Sequence, residues 1–302
     1  MVAQMIALTI LILVVMEVSL SFDNAVVNAT VLKDMSYRWQ RRFLTWGVLV
    51  AVFGMRLILP VLIVSFSAHI GIISVVQLVI SNPLEYAKYL TSAHKQISSF
   101  GGVFLLMVFL KYIFDSDKEV HWIGCIERRL SAFGNIEAVE IIIVLSIILL
   151  VPSMSIPAGL LGLLCYVLID GVMGFCIDGN NPSAIASSKR GLARFLYLEI
   201  LDASFSLDGV VGAFAITNNI IAIMIGLGVG AAVIRTLTVR LVRGGVLQTF
   251  IYLEHGAHYG VGALAALMIA STAFNIPEAI TGLSGVAFIG LSLLSSMRHK
   301  AT

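Results

Sequence analysis

The sequence predicts an all-α polytopic membrane protein of about nine transmembrane helices with an inverted three-helix repeat. Three observations carry that prediction. Of the 302 residues, 59% are hydrophobic and 12% charged, and the mean hydropathy is +1.00, whereas a soluble domain carries about 25% charge. Apolar runs of about 20 residues, the length that crosses a hydrocarbon layer, follow one another along the chain. Two short segments that resemble each other place acids inside such runs. No sizeable soluble domain fits between the runs. The basic residues fall at run ends rather than in a nucleic-acid-binding patch.

In chain order the runs cover residues 4–30, 43–66, 99–115, 137–151, 157–177, 193–216, 219–239, 246–271 and 276–297. The first lacks a basic leader and reads as a retained span, not a cleaved signal peptide. The fourth is short. The stretch 69–80 is too short to span and fits a re-entrant or interfacial helix. It lies in a long segment near 67–99 that carries Glu85, Lys88 and Lys95 and reads as an exposed extracytoplasmic loop. The organisation is then a first three-helix repeat at 1–115, a connecting region with two spans at 116–191, a second and inverted repeat at 192–271, and a final helix with a short tail at 272–302.

Loop charge sets the orientation. Lys33, Arg38, Arg41 and Arg42, then Lys118, Arg128 and Arg129, then Lys189, Arg190 and Arg194, then Arg240 and Arg243, and finally Arg298 and Lys300 all fall on one side of a nine-span chain. The positive-inside rule makes that side cytoplasmic. The N-terminus is expected outside and the C-terminus inside, in the inner (plasma) membrane.

The paired segments are Glu17-Val-Ser-Leu-Ser-Phe-Asp-Asn-Ala-Val-Val27 and Asp202-Ala-Ser-Phe-Ser-Leu-Asp-Gly-Val-Val211. Glu17 aligns with Asp202, Ser21 with Ser206 and Asp23 with Asp208. The two copies begin on opposite sides of the membrane. The following spans also match, Gly47 to Arg56 against Gly226 to Arg235, and the third spans match more weakly. Substrate sites of transporters with inverted repeats lie near the midplane where the repeats meet. Each acid at that depth costs about 2.5–3.5 kcal/mol unless it is paired, protonated or bound to a cation.

On a regular helix Glu17, Ser21, Asn24 and Asn28 form one stripe, and Asp23 falls about 120° away. Asp208 departs from the Asp202–Ser206 stripe by the same angle. Either each Asp faces a different neighbour, or the helix is unwound around Ser-x-Asp; unwinding is the favoured expectation, because broken helices free carbonyls for cations. The donors are carboxylate, amide and hydroxyl, a hard-oxygen set that suits Mg, Ca or Mn better than Cu or Zn. Candidate metal ligands are Glu17, Asp23, Asn24, Asp202 and Asp208. Ser21, Ser206, Glu199, Arg56 and Arg235 support them, Glu199 as a further ligand or proton carrier.

Arg56 and Arg235 each need an acid or a ring of carbonyls. The acids can therefore be plain interhelical ion pairs. Five acids against two arginines leave three negative charges, which a divalent cation and a proton would balance. Glu254 and His258 stand one helical turn apart, as a proton relay or cation guide or as a neutral helix contact. Lys111 reads as a snorkelling side chain, and Gly226-x-Gly-x-Gly230 as helix packing. Cys125, Cys165 and Cys176 imply no disulfide. HExxH is absent, no tightly bound cofactor is expected, and nothing points to an enzyme.

At its two motifs, Glu17-Val-Ser-Leu-Ser-Phe-Asp-Asn-Ala-Val and Leu198-Glu-Ile-Leu-Asp-Ala-Ser-Phe-Ser-Leu-Asp-Gly-Val, the chain resembles the TerC (tellurium resistance) family of integral membrane proteins, in a poorly characterised branch. Gly209 stands where many members have Ser. That family is similar to the LysE transporter superfamily. The resemblance implies a secondary transporter exporting manganese or a related divalent cation, with acids at Glu17, Asp23, Asp202 and Asp208. The alternative is a membrane scaffold or partner in a tellurite- or metal-stress resistance complex, its acids bracing helices. The implied partners are the metal ion as substrate, the lipid bilayer, and either further copies of the chain or other membrane proteins.

Overall fold

The computed structural model describes residues 2–136, 138–177 and 184–301. Among them every regular element is a helix and no strand occurs. The order is α1 (Val2–Leu20), α2 (Phe22–Leu32), α3 (Tyr37–Arg42), two π-helical stretches at Phe43–Gly47 and Val50–Ile58, α4 (Leu59–Ala68), α5 (Ile72–Ser81), α6 (Pro83–Ser92) and α7 (His94–Ile113). There follow α8 (Gly124–Ser131), a 3-10 turn, α9 (Val139–Leu150), α10 (Ile156–Ile177), α11 (Ala184–Ile216), α12 (Ile220–Arg243), α13 (Val246–Thr249), α14 (Leu253–Ser271) and α15 (Glu278–Ala301).

The surface is that of a protein built for lipid. Phe66 is 81% exposed, and Leu149 and Ile221 are each 71% exposed. Continuous apolar surface of that kind needs a covering. Five helices among the described residues are long and apolar enough to cross a membrane, or seven if the bent pairs Gln4–Leu20 with Phe22–Leu32 and Gly124–Gly134 with Val139–Leu150 each count as one span. The molecule is thus a helical, multi-pass membrane protein. α11 and α14 occupy two further segments expected to span, and they carry ionisable residues: Glu199 and Asp202 on one, Glu254, His255 and His258 on the other.

Within the segment 67–99, α5 lies where a short helix is expected at 69–80, but the remainder is not the loop expected: it folds into α6, and the next helix begins at His94, earlier than the run starting at 99. Pro83 opens α6 at a position where its missing N–H is harmless, and the Asn82 side chain accepts from the Glu85 N–H, capping the helix.

α7 and α14 lie along each other at the centre, with α10 and α15 alongside. Phe104, Leu105, Val261, Ala265 and Met268 are buried between them. α1 and α2 pack on α12, while α11 packs on the π-helical Val50–Ile58. Gly230 sets how closely α1 and α12 approach. A methyl group there would stand 2.6 Å from Glu17 Cβ, so only glycine admits the acid-bearing face of α1.

Candidate functional site

The first acid motif sits on a break. α1 ends at Leu20, α2 begins at Phe22, and their axes differ by 54°. Ser21 is the joint, with φ −106° and ψ 14°. The break creates a helix N-terminus inside the bundle, and Asp23 lies in its first turn, where the helix dipole favours an anion. The Asp23 Oδ1 accepts from the Asn24 N–H at 2.9 Å. The backbone of α15 presses against this carboxylate: a methyl group at Gly285 would lie 2.7 Å from Asp23 Cγ.

The second motif differs. The backbone of α11 runs unbroken through Ser206 and Asp208, so the expected unwinding occurs in one copy only. A continuous helix keeps Glu199 and Asp202 on one face, where both reach the same guanidinium. Arg235 Nη1 donates to Glu199 Oε1 at 2.8 Å and Nη2 to Glu199 Oε2 at 3.0 Å. Nη2 also donates to Asp202 Oδ2 at 3.0 Å. The guanidinium lies over Phe43, 4.4 Å from the ring centroid. In the first copy Arg56 donates to Glu17 through Nη2, and its Nη1 donates to the carbonyl of Ala51, 2.9 Å away. The Ser21 hydroxyl donates to the same Glu17 oxygen at 3.3 Å.

The copies meet at Asn24, whose Nδ2 donates to Asp202 Oδ1 at 2.8 Å. Glu17, Asp23, Asn24, Glu199, Asp202, Arg56 and Arg235 are all buried. A cavity of about 20 Å³ lies against Glu17, Ser21, Gly209 and Thr281, room for roughly one water or bare cation. Three oxygens, Asn24 Oδ1, Asn28 Oδ1 and Ser206 Oγ, are buried with no hydrogen-bond partner among the described residues. Buried polar atoms are nearly always paired.

The expected ligands therefore split. Glu17 and Asp202 are held by arginines, and Asp23 is bound by no arginine side chain among the described residues. The side chain of Asp208 lies outside the described residues. Among the described residues no three of His, Cys, Asp and Glu group as a metal site. Glu17 with Arg56 balances to zero, while Glu199 and Asp202 with Arg235 leave one negative charge, and Asp23 adds another.

Glu254 and His258 do not form a side-chain pair. His258 Nδ1 bonds the backbone carbonyl of Glu254 at 2.8 Å, and the Glu254 carboxylate pairs with Lys33 at 3.1 Å. His258 instead stacks on Tyr112, with ring centroids 3.7 Å apart. Lys111 reaches Asp170 at 3.6 Å from an exposed position, as a snorkelling side chain does.

Sequence reasoning missed a second polar centre. Glu127 is fully buried and accepts from the N–H groups of Trp122 and Ile123 at 3.2 and 3.1 Å and from the Tyr259 hydroxyl at 3.1 Å. Lys118, His121 and His255 lie 3.4, 3.6 and 3.5 Å from its Oε2. The available signal was the crowding of Lys118 and His121, in the loop before α8, with Glu127 on α8, opposite His255 on α14. No periodic pattern marks it.

The model of one family, described as Protein of unknown function (DUF475), matches residues 22–302. The chain belongs to that family. The match takes in Asp23, Glu199, Asp202 and Asp208 and starts just past Glu17. No curated protein matches the chain, and no solved structure matches it.

Proposed function

We propose that the chain is a secondary transporter that exports a divalent cation, Mn²⁺ foremost, through an acidic site between two inverted three-helix repeats. The observation that carries this reading is the meeting of the two motifs: Asn24 of one reaches Asp202 of the other beside a helix break. Hard-oxygen donors gathered at a helix interruption are how membrane carriers hold cations. Two separate observations support the reading: a small cavity against Glu17 and Ser21, and three buried oxygens, of Asn24, Asn28 and Ser206, that have no hydrogen-bond partner among the described residues and are hard donors of the kind such a substrate takes. The choice of Mn²⁺ and of export rests on the resemblance to the TerC family.

Helix packing supports the repeat. The first helix of each half packs on the second helix of the other, α1 and α2 on α12 and α11 on Val50–Ile58, and the third helices, α7 and α14, pack on each other. Exchanging the halves maps this set of contacts onto itself. In this reading α11 and α14 complete nine spans: Glu199 and Asp202 of α11 face the bundle interior rather than lipid, and Glu254 stands in the first turn of α14, paired with Lys33. The basic loops then lie in the cytoplasm and the N-terminus outside.

The arginine pairing favours a second reading, in which the acids brace helices in a membrane scaffold. Proteoliposome flux separates the two. Asp23→Asn and Asp208→Asn should each abolish Mn²⁺ transport while the protein elutes as wild type does. Unchanged flux in both variants, with no Mn²⁺ binding to the purified wild type, would reject the transporter.

A further inference from the structure

A second cavity, of about 250 Å³, opens between the α2–α3 turn and the early part of α11, and shares no lining residue with the cavity at Glu17. Its walls include Asp34, Ser36, Trp39, Arg190, Gly191 and Arg194. We propose that this cavity binds a phosphate ester, and that the membrane supplies it as the headgroup of an anionic phospholipid.

Arg190 and Arg194 stand one turn apart on α11, so their side chains share a face. Like charges at that spacing repel unless an anion lies between them. Arg194 is partly engaged: Nη1 donates to the Asp34 carbonyl at 2.5 Å, and Nη2 lies 3.9 Å from Asp34 Oδ2. The Asp34 side chain is 57% exposed, and an exposed pair at that distance binds weakly. Arg190 is half-buried and has no ion pair among the described residues. Two guanidiniums against one carboxylate leave the cavity positive. Paired arginines suit a phosphate, whose oxygens accept their N–H groups two at a time.

The rest of the cavity fits the same ligand. Ser36 precedes α3 without capping it through its side chain, which leaves its hydroxyl able to donate. Trp39 forms the floor because Gly191 has no side chain; a methyl group there would overlap the indole. The level in the membrane argues for lipid over soluble phosphate. Tyr37 and Trp46, 65% and 64% exposed, mark the aromatic belt of an interface. Arg38, Arg41 and Arg42 are exposed around the same turn, and basic clusters of this kind draw anionic headgroups.

The test is native mass spectrometry of the purified protein with phosphatidylglycerol or phosphatidylcholine added at equal concentration, with and without inorganic phosphate. The wild type should retain phosphatidylglycerol at least tenfold over phosphatidylcholine. The Arg190→Ala/Arg194→Ala variant should lose that preference, and Arg38→Ala/Arg41→Ala should keep it. Asp34→Asn, which removes the competing carboxylate, should bind more tightly and serves where the double variant misfolds. Equal retention of the two lipids, with inorganic phosphate shielding the arginines from phenylglyoxal, would assign the cavity to a soluble phosphate and overturn the lipid source. Unchanged phosphatidylglycerol preference in the double variant, or no tightening in Asp34→Asn, would overturn the site.

Discussion

Exchanging Arg235 for glutamine probes the centre of the acid network. The wild-type guanidinium makes three charge-assisted hydrogen bonds, two to Glu199 and one to Asp202, from a position 2% exposed. Glutamine restores at most one of them and leaves two carboxylates side by side without a countercharge. Breaking a buried ion pair by removing one partner costs about 3–5 kcal/mol. The lost stacking on Phe43 adds roughly 0.5–2 kcal/mol. At about 2.1 cal/mol/K per residue, a chain of 302 residues loses roughly 1.6 °C per kcal/mol, so the combined loss of about 3.5–7 kcal/mol should lower the thermal midpoint in mild detergent by roughly 6–11 °C. Glu199→Gln should cost far less, about 1–2 kcal/mol, because Arg235 keeps Asp202 and can still donate to an amide oxygen. The triple variant Arg235→Gln/Glu199→Gln/Asp202→Asn should recover most of the loss, since it removes every charge together. A midpoint for Arg235→Gln within about 2 °C of wild type, or a larger loss from Glu199→Gln, would refute the geometry.

Gly230→Leu should prevent the close approach of α1 to α12 and give aggregated or unfolded protein, read by size-exclusion elution, because the side chain would displace Glu17 from a packed interior. Lys33→Ala should change the thermal midpoint little, since its pair with Glu254 is 42% and 33% exposed and such pairs are worth about 0–1 kcal/mol. Glu127→Gln should raise hydrogen exchange at the amides of Trp122 and Ile123 at least tenfold while leaving α7 and α12 protected, as expected for a carboxylate that pins one loop.

The sequence made the helices legible because a bilayer imposes a length and a composition that few soluble segments mimic. Charge at run ends marked most boundaries. The same logic failed at Pro83–Ser92, where the exposed polar residues Glu85 and Lys88 read as loop although Tyr86 and Leu90 pack inward. The acids and arginines of the site were legible because charge in an apolar run stands out. Their pairing was not, because it depends on how α11 lies across α12 and the π-helical Val50–Ile58, a tertiary fact with no local signal. The break at Ser21 was foreseen for both motifs and appears in one. In the other, Glu199 lies close enough to Asp202 to share Arg235, and an intact helix keeps both within its reach.

The π-helical winding of Val50–Ile58 gives Arg56 a second property. Such a stretch carries more residues per turn than an α-helix, and each residue of excess corresponds to about 100° of angular register. Were the stretch to rewind into ordinary α-geometry, Arg56, near its far end, would swing about the helix axis like the bit of a key and turn off its glutamate with no change of rotamer. An attachment that one twist of the backbone can undo serves as a latch, placed on the helix facing α11.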